Sequence, residues 1–191
     1  MRTWSRKGDK VLTVLDRQEA AVLRGLVGQV EDMLKARAEE SPQDELAALT
    51  GIRTGPFTSP DDPILSRLLP DFHRLDDDAP NRADQESAAA MRSLYEPEVL
   101  DLKTGVAAVL LRTCPPGGGK VSLTLAEADA WLSALNDVRL SLGVALDIKD
   151  EEDLSLDLPE DDPKAPHLGV YHWLTWVQDT LVQAMAGDGP A

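Results

Sequence analysis

The sequence predicts a mainly α-helical bundle with a small two-stranded β-ribbon, organised as a single domain over residues 1–191. Three observations carry that reading. Apolar residues recur at i, i+3, i+4 and i+7 through several long segments. Two short β-rich runs, KVLTVL at 10–15 and VSLTL at 121–125, each lead into a helix-capping pattern. A chain of 191 residues with 42% hydrophobic content can bury one sizeable core.

The first run ends at Asp16, with Glu19 three residues later; a side-chain acceptor and a carboxylate at that spacing cap a helix reciprocally. A helix is expected over 16–39, with Leu23, Leu26, Val27, Val30 and Leu34 on its inner face. Gly25 and Gly28 each cost that helix about 1 kcal/mol relative to alanine, so a second helix is expected to approach closely there. Residues 41–63 hold four prolines and two glycines, which predicts a short helical turn at 44–49 and an irregular connection. A brief helix follows over 63–69. Residues 70–80 read as a loop, with Asp78 or Asn81 capping the next helix and Pro80 near its first turn. Ala88, Met91, Leu94 and Tyr95 mark that helix's buried face. Pro97 lacks an N–H and clashes with the preceding turn, so it should end there, and a separate helix should resume with Leu102, Val106, Val109 and Leu110.

CPPGGGK at 114–120 is a loop on composition and is expected to be mobile. Residues 120–125 should pair with 10–15, because a lone strand cannot satisfy its backbone groups. Thr124 and Glu127 repeat the capping spacing and open a helix whose inward stripe is Trp131, Leu135, Val138 and Leu142. Nine of the sixteen residues from 147 to 162 are acidic, and like-charge repulsion there predicts a flexible acidic linker over 147–163. The last helix, about 166–185, presents Val170, Trp173, Leu174, Val177 and Leu181 on one stripe, flanked by Tyr171 and Trp176.

Charge narrows the function classes. The 34 acidic and 19 basic residues give a formal net charge of −15. Phosphate backbones are bound by displacing counterions with clustered Lys and Arg, and the basic residues here are scattered, so direct nucleic-acid binding is not expected. The longest apolar run, 105–111, is seven residues, far below the roughly 20 of a membrane span. The opening MRTWSRKGDK has no apolar secretory segment. A cytoplasmic protein with no membrane association is expected, and the single cysteine fits a reducing compartment.

Chemistry-bearing motifs are sparse. No G-x-S-x-G, phosphate-binding loop, HExxH or paired CxxC occurs. His167 and His172 are five apart, which does not place both on one helical face. Asp76, Asp77 and Asp78 lack the glycine and distal glutamate of a calcium loop. No catalytic residue, metal ligand or cofactor is therefore assigned. Cys114 is the candidate redox residue: placed between a helix and PPGGG, its sulfur would be reachable, with Arg112 and Lys120 favouring the thiolate. The competing role is that of a buried helix end. Within WLSALNDVRLSLG, Asn136 and Arg139 share a face next to the inward stripe, while Asp137 turns further away. They are either a structural edge tying down loops or a recognition patch for a carboxylate or acidic partner. Tyr171, Trp173 and Trp176 are the candidate self-association residues of a homodimer, the competing role being to anchor the core.

The segments PDFHRLDDDAPNRADQESAAAMRSL, WLSALNDVRLSLG and YHWLTWVQDTLV, with the overall layout, resemble the actinobacterial domain-of-unknown-function family that includes the AosR-like oxidative-stress regulators. The resemblance implies a compact, mainly helical regulator acting through protein contacts, with a sigma factor as the partner; with no catalytic motif in the sequence, a non-enzymatic role is expected. It carries over no redox pair. With Cys114 alone the chain cannot close an internal disulfide, so thiol chemistry would involve a second molecule or simple oxidation. The alternative is an enzyme or small-ligand-binding protein with a polar pocket near Asn136 and Arg139.

Overall fold

A computed structural model describes residues 1–40, 54–71, 82–149 and 162–187. The expected turn at 44–49, the Asp78 or Asn81 cap, the Asp76–Asp78 run and most of the acidic linker lie outside these residues.

The β component gains one strand over expectation. β1 (Ser5–Lys7), β2 (Lys10–Leu15) and β3 (Gly119–Thr124) form an antiparallel sheet in that order. β2 and β3 pair as expected, from Lys10↔Thr124 to Leu15↔Gly119. The extra strand exists because Gly8, at φ 64, closes a two-residue hairpin that registers Lys7 on Lys10; positive φ at the first central position is the glycine signature of such turns. Val11, Thr13 and Leu15 alternate inward with Val121 and Leu123, the period-two pattern of a sheet covered on one side. Trp4, just before β1, is fully buried and meets Trp131 edge to face, with ring centroids 5.5 Å apart.

Both capping boxes form. Asp16 and Glu19 exchange hydrogen bonds of 2.7 and 2.8 Å at the start of α1 (Arg17–Glu39). Thr124 and Glu127 do the same for α4 (Leu125–Leu146). Between them lie α2 (Pro63–Leu68), capped by Asp62, and α3 (Arg82–Thr113); α5 (Ala165–Ala186) closes the fold. The central element is α4, which packs on all four other helices. Its Trp131, Leu135, Val138 and Leu142 form the predicted inward stripe.

Three expectations are corrected. First, α3 is one helix through Pro97. A proline N–H is missing from the helical ladder, which leaves the carbonyl four residues earlier without its donor. Here that carbonyl belongs to Ser93, and it accepts from the Gly55 N–H at 2.7 Å, while Ser93 Oγ donates back to the Gly55 carbonyl at 2.9 Å. A Cβ on Gly55 would lie 3.1 Å from Pro97 Cδ, so a side chain would crowd this repair.

Second, Met91, Leu94, Tyr95 and Leu102 face outward; Leu94 is 51% and Leu102 63% exposed. The inward positions of α3 are Arg92, Ser93, Glu96, Leu100, Ala107 and Leu110. The helical period was legible but its phase was inverted around Pro97, because the buried side there is ionic. Third, no helix among the described residues packs closely on Gly25 or Gly28: a Cβ at either would meet nothing within 4 Å.

The CPPGGGK loop is a close-packed turn. Gly118, at φ 75, sits where a Cβ would lie 2.6 Å from the Asp16 backbone, so glycine is required on both conformational and steric grounds.

Candidate functional site

The polar residues singled out in α4 divide between two environments. Asp137 is buried against α3, where Lys103 Nζ donates to its Oδ1 at 2.6 Å. It is the inner member of the trio, contrary to the expectation that it turns away from the packed side. Burial raises its carboxyl above the usual carboxylate range, and the Lys103 hydrogen bond and charge oppose that rise.

Arg139 and Asn136 do share one site. Arg139 is half-buried and its guanidinium lies over the Tyr171 ring, 5.2 Å from the centroid. Its Nη1 donates to Gln178 Oε1 at 2.7 Å, and Gln178 is held in turn by donating to the Leu132 carbonyl at 3.1 Å. Arg139 therefore joins α4 to α5, helix to helix rather than helix to loop. Both residues also line a cleft of about 490 Å³ bordered by Arg67 of α2, Tyr171 of α5 and the turn after α4. Its titratable lining, among the described residues, is Arg67, Arg139, Asp147, Lys149 and Tyr171. Arginine-rich lining suits anion binding.

The three candidate self-association residues do not form a single face. Tyr171 is occupied beneath Arg139. Trp173 is half-buried and, with Val22 and Val170, lines a groove of about 350 Å³ between α1 and α5. Only Trp176 is exposed.

Cys114 is fully buried at the end of α3, so its sulfur is not at a reachable position. The cation acting on it is Arg24 of α1, not Arg112 or Lys120; the Arg24 guanidinium also caps the helix end, donating to the carbonyls of Leu111 and Cys114. Burial pushes the thiol up to about 11 from an ordinary 9.0, against the opposing charge of Arg24. That rise leaves about 100-fold less thiolate at any pH below both values. The native protein should therefore react with a thiol-specific disulfide reagent at pH 8 at least about 100-fold more slowly than the urea-unfolded chain. Equal rates would show that the helix end opens freely. Because the folded thiol titrates above the unfolded one, its stabilising share is complete below 9.0 and is lost as pH rises through about 11.

A second polar constellation escaped the sequence reading. Glu96 is 0% exposed and takes Arg37 Nε on one oxygen at 2.7 Å and the Arg92 guanidinium on the other. Arg37 reaches on to Glu40 at 2.6 Å and to the Thr58 carbonyl. Arg92 reaches Asp71 at 2.6 Å and the Leu69 carbonyl at 3.2 Å. The Arg92 hydrogen bond holds the Asp71 carboxyl below the usual range, against the opposing effect of burial, with help from Ser59 and the Arg92 charge. These residues tie α1, α3 and two connecting segments together. They lie far apart in the sequence, and only the EP pair at 96–97 could have drawn attention to them.

A family model described as a domain of unknown function, DUF2017, matches residues 1–185. The oxidative stress regulator AosR of Mycobacterium tuberculosis (strain H37Rv) is 44% identical over 192 residues, covering 98% of this chain and 87% of its own. The protein of the same name from Mycobacterium bovis matches equally. A Mycobacterium leprae relative is 41% identical, over 97% of this chain and 88% of its own length. No solved structure matches the chain significantly.

Proposed function

Given that this chain belongs to the DUF2017 family, we propose that it is a regulator of the oxidative-stress response that works in the cytoplasm by contacting other proteins, with a sigma factor as its partner, and not by catalysis. The regulatory part is supported by near full-length similarity to proteins named oxidative stress regulators. The protein-contact part is carried by one observation, the outward face of α3. Met91, Leu94, Tyr95 and Leu102 expose large apolar side chains along it, and apolar surface of this kind marks protein interaction sites. Glu98 and Asp101 are exposed on the same helix, and with a chain charge of −15 they favour a partner bearing basic groups. No helix of the described residues is long and apolar enough to cross a membrane.

The test is affinity capture with the tagged full chain from lysate of its own cells, under reducing and oxidising conditions, with Leu94→Asp/Leu102→Asp and Cys114→Ser chains beside it. Both leucines are solvent-exposed, so the double variant should keep its melting temperature. Recovery of a sigma factor that the double variant loses would support the proposal. Absence of any transcription protein, or recovery unaffected by the double variant, would reject it. Dependence of capture on Cys114 would establish that redox control acts through the buried thiol.

A further inference from the structure

The geometry points to the cleft between α2, α4 and α5 as a binding site for a carboxylate that carries an apolar group. The cleft reverses the character of the molecule around it. Three cations, Arg67, Arg139 and Lys149, line it against one carboxylate, Asp147, which already pairs with Lys149 at 3.3 Å. Among the described residues that leaves an excess of two positive charges, in a chain whose net charge is −15.

Two of the polar lining groups, the Arg67 guanidinium and the Asn136 amide, engage no hydrogen bond or ion pair among the described residues. Arg139 is pre-positioned by Gln178 and the Tyr171 ring. Each of its terminal nitrogens uses one donor within the protein, so each keeps one for a ligand oxygen. Two guanidinium groups lining one cleft suit a planar carboxylate, whose two oxygens accept N–H bonds. The free amide of Asn136 can donate to the same group or bond an adjacent peptide unit.

The remaining lining selects the rest of the ligand. Leu140, Val144 and Ile148 supply the apolar part of the lining, which favours an aliphatic or aromatic group on the acid. The C-terminus of α4 lies at the cleft, closed by Asp147 at φ 60. The negative end of a helix dipole disfavours added anionic charge there, and it penalises a phosphate dianion more than a single carboxylate. Such a carboxylate could be supplied by a free acid or by the C-terminus of a peptide. Both present the same group.

N-acetyl-leucine, titrated into the isotope-labelled full chain and followed by amide chemical shifts, tests this directly. Saturable shifts at Asn136, Leu140, Ile148 and Tyr171 are expected. N-acetyl-leucinamide, which keeps the side chain and loses the charge, should leave those signals in place. Arg67 is exposed and has no partner among the described residues, so Arg67→Ala should fold normally and weaken binding about tenfold, as loss of a charge-assisted contact does. A leucine-terminated tripeptide with a free C-terminus completes the set: affinity tenfold above that of N-acetyl-leucine assigns the site to peptide termini, and equal affinity assigns it to free acids. Binding of the amide as strongly as the acid, shifts confined to other surfaces, or unchanged affinity in Arg67→Ala would overturn the inference. None of these results bears on the outward face of α3, so the regulatory proposal stands or falls separately.

Discussion

Glu96→Ala is expected to destabilise the folded chain by about 3–5 kcal/mol, the cost of removing one partner from a buried ionic group. The Glu96 carboxylate is the only group joining Arg37 and Arg92 among the described residues, and both guanidinium groups are nearly fully buried. Deleting it leaves two like charges facing each other across the gap. Arg37 shows how much the pairing outweighs burial. Burial alone would lower its affinity for a proton, yet the hydrogen bonds and charges of Glu96 and Glu40 hold it above its ordinary value. Urea unfolding followed by circular dichroism measures the loss. A cost under about 1 kcal/mol would mean that water already screens the network, as it does for exposed pairs. Replacing Arg37 and Arg92 with methionine and Glu96 with leucine together removes charges and vacancy alike. That triple variant should recover most of the stability, because well-packed apolar groups often match a buried ionic set.

Trp131→Ala should cost a similar amount, about 3–5 kcal/mol, for a different reason. The indole is fully buried where the sheet meets α4, edge-on to Trp4, and its Nε1 donates to Thr113 Oγ1 at 2.7 Å. Truncation removes a large apolar surface and leaves a cavity that α4, fixed by its neighbours, cannot collapse to fill. Loss of the near-ultraviolet dichroism of the Trp4–Trp131 pair should accompany the drop in stability. Trp131→Phe keeps most of the buried area and should cost about half as much. The Thr113 hydroxyl is not stranded by either change, since it also donates to the Val109 carbonyl at 2.8 Å. An unchanged melting temperature in Trp131→Ala would contradict the placement of this residue at the centre of the core.

Much of the fold was readable because its signals are local. Asp16 with Glu19, and Thr124 with Glu127, lie within one helical turn, so both caps could be found without knowing what the helices pack against. The alternation in 10–15 and the spacing of Leu23, Val27, Val30 and Leu34 likewise report which side of an element is dry. Pro97 shows where such reading stops. Its effect on α3 depended on whether another segment could supply the missing donor, and the donor is Gly55, 38 residues away from Ser93. The same is true of Met91, Leu94 and Tyr95, whose apolar stripe looks inward until Arg92 and Glu96 find partners in Arg37 and Asp71. In the candidate site, Asn136 and Arg139 stood out as polar interruptions of an apolar helix. Arg67 did not, because nothing near it in the chain marks it as a neighbour of α4.

By itself the sequence determined the helical class, the starts of α1 and α4, the pairing of 10–15 with a strand expected at 120–125 and found at 119–124, and the excess of negative charge, all properties set by near neighbours or by composition. The tertiary structure alone decided that α3 runs unbroken, that Cys114 and Asp137 are buried, that Glu96 sits between two arginines and that three cations share one cleft. The division follows from the physics of each kind of interaction. Capping and periodicity act over a turn or two of chain, whereas the environment of a charge or a thiol is set by whichever distant segments fold against it.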